Sequence, residues 1–304
     1  MPNWCANRIE ITAPADVLSE IETWSLGGVY PYYEKAVRQS IRLFIAGVTG
    51  RLRPHAEGHY APYPALTSHG AGGDNPVSRA YSEWLSLLQD NAWLDEACCE
   101  AIERCYVACG LAGLKWGQLT GSEQAIAGEL LSQKNHDWSS DGWKPVSFAE
   151  LYDGLDVVRA GQRMDLRLLI PTRMATEING FNGGLLTGVT RSYDLYVDCY
   201  GTKWPSDNRA DVRRDNGVLI IDFDTAWSPP AEEVMLALTT RWSCEVTHWF
   251  SEAGSDYCGF RVFSKGELTD ADDTSLEYDD EDEDGWSDVI GPDWLIDNVP
   301  HYGG

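Results

Sequence analysis

The sequence predicts an α+β protein whose antiparallel sheet is built from segments far apart along the chain. Runs with alternating apolar residues occur near residue 10 and again after residue 190, and both are typical of half-buried strands. Runs at helical spacing fill most of the chain between them. Of the 304 residues, 43% are apolar, which is enough for a packed core.

The N-terminal segment predicts one strand followed by one helix. Residues 7–12 (NRIEIT) alternate polar and apolar side chains. The next segment places Val17, Leu18, Ile21 and Trp24 three or four residues apart, which is the spacing of one helix face.

Two antiparallel strands are predicted after residue 193. Residues 194–204 (DLYVDCYGTKW) put Leu195, Val197 and Cys199 on one face of a strand. Residues 217–223 (GVLIIDF) form an apolar run rich in β-branched residues, directly after the turn signal Asp-Asn-Gly. We therefore expect these two runs to be neighbours in the sheet.

A helix and then a β-hairpin complete the predicted ferredoxin-like core. Residues 227–242 (WSPPAEEVMLALTTRW) offer Ser228 as a cap, with the two prolines in the first helical turn. Residues 244–250 and 257–263 flank a turn that contains Gly254. The order β-α, then β-β-α-β-β, predicts a ferredoxin-like core made of residues 1–25 plus 194–268.

Residues 26–193 predict a large, mainly helical insertion. Apolar side chains recur at helical spacing over 33–48, 77–88 and 94–109, whereas 55–73 are rich in Gly, Pro and His and predict an exposed loop. Within 94–109, Cys98, Cys105 and Cys109 share the apolar face. They lack the C-x-x-C spacing of zinc ligands, so core packing is favoured over a metal site.

The charge of the chain limits the classes of partner. Its 48 acidic and 23 basic residues give a net charge of −25, which disfavours binding to nucleic acid or to anionic membranes and favours basic proteins. Eight cysteines are too few for a disulfide scaffold, and no apolar run reaches the ~20 residues that span a bilayer. The start MPNWCANRIE lacks the pattern of a signal peptide, so we expect a cytoplasmic protein.

Residues 269–304 are predicted to be an acidic tail with aromatic anchors that binds a partner. An extended chain advances about 3.3 to 3.6 Å per residue, close to the ~3.4 Å between phosphates along one DNA strand, so an acidic run can imitate that strand. A disordered, solubilising tail is the alternative. The apolar anchors favour binding, and the predicted binding residues are Asp279, Asp280, Glu281, Asp282, Glu283, Asp284, Trp286, Asp288 and Trp294.

Four further patterns are compatible with ordinary structural roles. Residues 179–188 (NGFNGGLLTG) match no phosphate-binding motif and predict a turn between strands. His248 near Glu252 is the nearest acid-base pair, but a place on a sheet face suits it equally. His55 and His59 are expected in a loop, and most of the rings of Trp204, Trp227, Trp242 and Trp249 in the core.

Four short motifs carry a family resemblance. PNWCANRIEI at the N-terminus, YGTKW (200–204) and DFDTAWSPP (222–230) resemble the YubB-type ferredoxin-like domain family of plasmid, phage and integrative-element proteins, and EINGFNGGLL (177–186) resembles longer members. The resemblance implies a ferredoxin-like core, a bacterial host and a mobile genetic element. It transfers no catalytic residue, but it implies that Trp227 packs under the helix start at Pro229 and Pro230.

We therefore expect a non-enzymatic anti-defence protein without a cofactor. By mimicking nucleic acid, it would block a DNA- or RNA-binding host complex, such as a CRISPR effector or a restriction enzyme. A nucleic-acid-binding accessory protein for plasmid transfer or maintenance is the alternative, with Arg209, Arg213 and Arg214 as its basic patch. An enzyme with a site in the Gly/His-rich loop is the third hypothesis.

Overall fold

The computed structural model describes residues 3–139, 146–157, 163–206, 209–280 and 287–304. The strands are β1 (Trp4–Thr12), β2 (Ala210–Asp215), β3 (Val218–Ala226), β4 (Glu245–Glu252), β5 (Tyr257–Ser264), β6 (Glu267–Thr274), β7 (Glu277–Tyr278) and β8 (Val289–Gly291). The helices are α1 (Ala15–Ser25), α2 (Tyr32–Val48), α3 (Pro76–Gln89), α4 (Glu96–Ala108), α5 (Gly121–Gln133), α6 (Asn135–Trp138), α7 (Phe148–Gly154), α8 (Met174–Asn179), α9 (Ser192–Tyr200), α10 (Glu232–Trp242) and α11 (Asp293–Ile296).

The chain divides into two compact units. The sheet unit comprises Met1–Tyr30, Ala160–Ile170 and Tyr196–Gly304, and the helical unit comprises Pro31–Arg159 and Pro171–Leu195. The helical unit is therefore largely an insertion between α1 and β2 of the sheet unit. The division into 1–25 plus 194–268, 26–193 and 269–304 stays a prediction.

A six-stranded antiparallel sheet organises the sheet unit. Its strand order is β2-β3-β1-β4-β5-β6, so β3 lies between β1 and β2. This split arrangement is that of a ferredoxin-like sheet, here extended by β5 and β6. The α+β class and the ferredoxin-like antiparallel sheet are thus confirmed.

One face of the sheet is covered by helices. Ile9 of β1 pairs with Ile221 on one side and His248 on the other, and all three side chains are buried. Helix α1 contacts β2 and β3, while α10 contacts β4 and β5. Each buried isoleucine stabilises this layer by about 1.5 to 3 kcal/mol relative to an exposed one.

The strand predicted over 194–204 is wrong. Residues Ser192–Tyr200 form α9, in which Tyr196 and Tyr200 are buried one helical turn apart. The strand that forms a hairpin with β3 is instead β2. It precedes the two-residue turn at Asn216 (φ 48°) and Gly217 (φ 86°). Left-handed φ values at both positions are typical of the type I′ turn, so the predicted turn is confirmed with a different first strand.

Helix α10 confirms the predicted helix but not its cap. Its N-cap is Ala231, and Ser228 instead donates a 2.6 Å hydrogen bond from Oγ to the carbonyl oxygen of Gly201. The two prolines therefore precede the helix rather than occupying its first turn.

The helical unit confirms all three predicted helices as α2, α3 and α4. Asn75 caps α3 by accepting a 3.0 Å hydrogen bond from the backbone N–H of Ser78. In α4, Cys105 and Cys109 are buried as predicted, whereas Cys98 is only half-buried and its neighbour Cys99 is buried instead.

Helix α2 carries a charge in the core of this unit. Arg42 is fully buried and forms a salt bridge with Asp156. Its guanidinium carbon lies 4.6 Å from the centre of the Tyr152 ring. Burial of such a charge is tolerable only because a counter-charge and a π face accompany it.

The glycine-rich segment predicted as a turn between strands connects α8 and α9 instead. Lys134, which is 2% exposed, donates hydrogen bonds from Nζ to the carbonyl oxygens of Asn179 (2.7 Å) and Gly183 (2.9 Å). It also forms a salt bridge with Asp137. The loop is thus held by a buried ion pair.

Within the described ranges, no helix is long and apolar enough to cross a membrane.

Candidate functional site

Strand β6 gives the sheet a strongly acidic edge. All eight of its residues are exposed, and among the described strands it pairs with β5 alone. We define the acidic edge as the carboxylates of β6 and of the segment that follows it: Glu267, Asp270, Asp272, Asp273, Glu277, Asp279 and Asp280. Charged side chains on an edge strand also prevent pairing with the edge of another sheet.

Few counter-charges accompany these groups. Asp273 forms a 2.8 Å salt bridge with Arg261 of β5. Within the described parts of 267–304, no other acidic side chain forms a salt bridge. The edge therefore presents mostly uncompensated negative charge to solvent.

The geometry of β6 sets the spacing of the carboxylates. Asp270 pairs with Val262, and Asp272 pairs with Phe260, so both lie on the same face of the strand. Alternate residues of a strand are about 6.8 Å apart, which is twice the ~3.4 Å between phosphates along one DNA strand. The spacing predicted for an extended acidic run therefore occurs on β6, upstream of the predicted run.

The predicted acidic run begins next to a short hairpin. The backbone N–H of Asp279 donates a 3.1 Å hydrogen bond to the carbonyl oxygen of Asp288, where the chain returns to pair β7 with β8. Asp279 and Asp280 are exposed and belong to the acidic edge. The other predicted binding residues of this run, Glu281, Asp282, Glu283, Asp284 and Trp286, lie outside the described residues.

Residues 287–304, here named the docked segment, pack on the sheet face opposite the helices. Trp294 meets Phe260 edge to face with ring centroids 5.2 Å apart. Leu295 is fully buried in an apolar cluster with Cys258 and Leu276. The predicted aromatic anchor thus contacts the protein's own sheet, and its role in partner binding stays a prediction.

Backbone hydrogen bonds fix the end of the docked segment. The N–H of Ala253 donates to the carbonyl oxygen of Tyr302 (3.1 Å), and the N–H of Gly304 donates to that of Trp4 (2.9 Å). Trp249 and Phe260 lie beneath this segment. These sheet aromatics are consequently covered and do not form an open platform for bases.

The candidate acid-base pair is enclosed. His248 is 2% exposed and Glu252 0% exposed. His248 Nε2 lies 3.1 Å from Asn7 Oδ1, while Glu252 Oε1 accepts a 2.7 Å hydrogen bond from the N–H of Gly254. Burial, with a smaller contribution from the charge of Arg261, lowers the pKa of His248 to about 3. Both side chains therefore belong to the core of the sheet unit.

One of the loop histidines, His55, contacts a helix. His55 Nδ1 lies 2.9 Å from Ser82 Oγ, so the ring is held against α3. Over the described ranges, no group of three or more His, Cys, Asp or Glu side chains is arranged to hold a metal ion.

An aromatic cluster around Lys203 differs from the expected core packing. The Lys203 ammonium lies 4.2 Å from the Trp204 ring centre and 4.0 Å from that of Trp227. Trp227 is 43% exposed and has a φ of 75°, which is rare for a bulky residue. Trp204, Trp242 and Trp249 are half-buried rather than buried, so the expectation that most of these rings lie in the core is wrong.

The position of Lys203 between two indoles was not recognised from the sequence, although YGTKW and DFDTAWSPP contain all three residues. The missing information was that α9 and the end of β3 bring the two motifs together. The available signal was the adjacent Lys-Trp pair in YGTKW together with the tryptophan in DFDTAWSPP.

Comparison with known proteins identifies the family. The chain is similar to a crystal structure of the protein api92 from Yersinia pseudotuberculosis, with a TM-score of 0.84, 34% identity, and coverage of 91% of this chain and 99% of that one. It is 39% identical to YubB of Escherichia coli K12 over 142 residues, which is 46% of this chain and 98% of YubB. It is 33% identical to YubA of the same organism over 138 residues, 45% of this chain and 82% of YubA.

Two family models match consecutive parts of the sequence. The model described as "Protein of unknown function (DUF1281)" matches residues 30–204. The model described as "Ferredoxin-like domain in Api92-like protein" matches residues 200–293. The chain therefore belongs to the DUF1281 family and carries its ferredoxin-like C-terminal domain.

Proposed function

We propose that this protein is a non-enzymatic interaction protein whose acidic edge occupies a cationic groove built for nucleic acid on another protein. The observation that carries the proposal is the row of exposed carboxylates on β6 and its continuation, with one salt bridge among its described members. The family resemblance implies the setting, a mobile element in a bacterium, and a host defence complex with a cationic groove is the target that we propose.

Rigid presentation supports this proposal over a solubilising tail. The carboxylates of β6 are held by pairing with β5, and the hairpin that follows is held beside the docked segment. A rigid row loses little conformational entropy on binding, so more of the Coulomb attraction appears as affinity. Complementary charge also accelerates association with a basic partner.

The alternative of a nucleic-acid-binding accessory protein has less support. Arg213 forms a 2.6 Å salt bridge with Asp222, and Arg214 forms a 2.7 Å salt bridge with Glu22. Each of the two arginines therefore already pairs with a carboxylate of the protein, and Asp222 is shared with Arg8. The basic patch expected from these arginines is weaker than their sequence indicates.

Neutralising two carboxylates tests the proposal. Immobilised wild-type protein is incubated with a bacterial lysate at low salt, and captured proteins are released with double-stranded DNA. In D270N/D272N, each lost exposed ion pair costs about 0.5 to 1 kcal/mol, so affinity for DNA-released proteins should fall about 5- to 30-fold. The variant E96Q/E100Q removes two exposed charges from α4 as a matched control.

Three results would contradict the proposal. Capture that resists both DNA and 1 M salt is not electrostatic, because the Debye length is then only ~3 Å. Equal losses in the two double variants would assign the effect to net charge rather than to the acidic edge. Direct binding of nucleic acid by the wild-type chain, with no captured basic protein, would favour the accessory role.

A further inference from the structure

Lys203 of the sheet unit contacts two indoles at once. Its ammonium nitrogen lies 4.0 Å from the centre of the Trp227 ring and 4.2 Å from that of Trp204. Both distances are within the ~6 Å over which the face of an aromatic ring attracts a cation. We define the indole cage as the two ring faces that Lys203 contacts. Aromatic cages recognise cationic ligands, whereas here a cation of the same chain lies in the cage.

Two hydrogen bonds hold the backbone of Trp227 in place. Its N–H donates to the carbonyl oxygen of Asn3 (2.9 Å), and its carbonyl oxygen accepts from the Tyr257 hydroxyl (2.7 Å). Trp227 has a φ of 75°, a left-handed conformation that costs free energy for a bulky residue. These partners therefore impose the conformation that brings the indole to Lys203, because the local preference of the chain opposes it.

The second ring of the cage is held in place as well. The Trp204 ring packs on Trp4, with ring centroids 5.7 Å apart. The two segments that carry the cage are joined by a 2.6 Å hydrogen bond from Ser228 Oγ to the carbonyl oxygen of Gly201. Rings that are already positioned lose little conformational entropy when they bind a cation.

A stacked guanidinium fits the distances in the cage. In the helical unit, the guanidinium carbon of Arg173 lies 3.9 Å from the centre of the Trp93 ring. The Lys203 ammonium keeps nearly the same separation from both rings of the cage. A guanidinium is planar, stacks on aromatic faces and is more weakly hydrated than an ammonium. An arginine side chain from another molecule can therefore compete with Lys203 for the cage.

We propose that the indole cage binds an arginine side chain of a basic protein, which takes the place of Lys203. The inference rests on the proposed function for the basic character of the partner, and the net charge of −25 attracts such proteins. Lys203 acts as an internal competitor that occupies the cage until a guanidinium displaces it. The site uses only the ring faces that Lys203 now contacts, so it requires no other free face of either indole.

Binding of blocked tripeptides to the full chain tests the cage. The probes are acetyl-Gly-Arg-Gly-amide and its lysine and citrulline analogues, because citrulline has the shape of arginine without the charge. The indole N–H signals of Trp204 and Trp227 in nuclear magnetic resonance spectra report binding at the cage. The arginine peptide is expected to move both signals and to bind more tightly than the lysine peptide. The citrulline peptide should bind about fivefold or more weakly than the arginine peptide, because it has no cation–π attraction.

Substitutions of Lys203 change the competition in opposite directions. K203A removes the internal competitor and should tighten binding of the arginine peptide about 5- to 30-fold, equivalent to about 1 to 2 kcal/mol for two exposed cation–π contacts. K203R puts a guanidinium of the chain itself in the cage and should weaken binding. K265A removes an equal charge from the exposed turn between β5 and β6 and should bind as the wild type does.

Removal of one ring assigns the gain to the cage. K203A/W227L should bind the arginine peptide about 2- to 5-fold more weakly than K203A, because one of the two cation–π contacts is lost. K203A/W93L removes an indole of similar exposure, 41% against 43% for Trp227, and should bind as K203A does. K203A/W204L tests the other ring in the same way, and circular dichroism shows whether each variant is folded.

Three results would overturn the cage: equal binding of the arginine and citrulline peptides, binding by K203A no tighter than by the wild type, and an equal gain in K265A, which would reduce the effect to net charge. D270N/D272N separates this inference from the proposed function. It should weaken capture of DNA-released proteins but leave peptide binding within about twofold of the wild type, since distant exposed charges are screened. Peptide binding without capture of a basic protein would refute the role of the acidic edge and retain the arginine site. Capture without peptide binding would refute the cage alone.

Discussion

Replacing Leu295 with alanine is expected to release the docked segment from the sheet. Leu295 is 0% exposed and packs with Cys258 and Leu276. Leucine-to-alanine changes in such sites cost about 2 to 5 kcal/mol. Because α11 has only four residues, it has no stability of its own to offset that loss.

Amide hydrogen exchange reports this release at a defined place. The N–H of Ala253 donates to the carbonyl oxygen of Tyr302, so it is protected while the segment is docked. A loss of 2 to 5 kcal/mol raises the exchange rate of that amide about 30- to 5,000-fold, at about 1.4 kcal/mol per factor of ten. The exchange rate reaches its upper limit once the segment is fully detached from the sheet.

Ile290 provides the control in the same segment. Its side chain is 50% exposed, so I290A should change the exchange of Ala253 by less than about threefold. Equal acceleration in I290A and L295A would show that burial of Leu295 does not hold the segment. Unchanged exchange in L295A would refute the docking itself.

Two further predictions concern buried ionisable groups. His248 has a pKa lowered to about 3 by burial, with a smaller contribution from Arg261, whereas an unfolded histidine titrates near 6.5. The unfolding free energy should therefore fall by up to about 1.4 kcal/mol per pH unit as the pH drops below 6. Urea denaturation between pH 6 and 5 should show a weaker dependence of the unfolding free energy on pH in H248Q than in the wild type. An equal dependence in the two proteins would contradict the assignment to His248. R42M removes the counter-charge of Asp156, which keeps its hydrogen bonds from Tyr106 and Gly113, and should cost about 3 kcal/mol, the lower end of the range for a broken buried pair, measured by exchange of the α2 amides. R38M, which loses only a 3.4 Å contact with a carbonyl oxygen, should cost under 1 kcal/mol, and equal losses would refute the role of the buried pair.

Elements with their own apolar period were predictable from the sequence. β1, α1, β3, α10, β4 and β5 each carry that period within a single segment, which is why they were placed correctly. Residues 194–200 alternate in the manner of a strand, yet burial of Tyr196 and Tyr200 follows a helical turn. Only packing decides between two periods in so short a run.

Polar strands could not be predicted from local pattern. β2 (Ala210–Asp215) has no buried residue and β6 (Glu267–Thr274) is exposed throughout, so neither shows an apolar face. Their strand conformation comes from pairing with β3 and β5, which is a tertiary effect. The acidic content of the edge was therefore visible in the sequence while its rigid presentation was not.

The predicted binding residues were likewise visible in the sequence only in part. Trp294 was recognisable as an anchor, but its contact with Phe260 depends on the fold of the sheet. Sites assembled from distant segments require the structure.

The insertion of the helical unit has a consequence for the order of events during synthesis. Asn7 of β1 and Thr225 of β3 are hydrogen-bonded although 218 residues separate them. At about 5 to 20 residues per second, the ribosome needs roughly 10 to 40 s to supply that neighbour. Throughout this interval the nascent chain carries the apolar face of β1, including Ile9 and Ile11, without the strands that later flank it. The central strand thus exposes apolar surface, the kind of surface that favours aggregation, until β3 and β4 have been made.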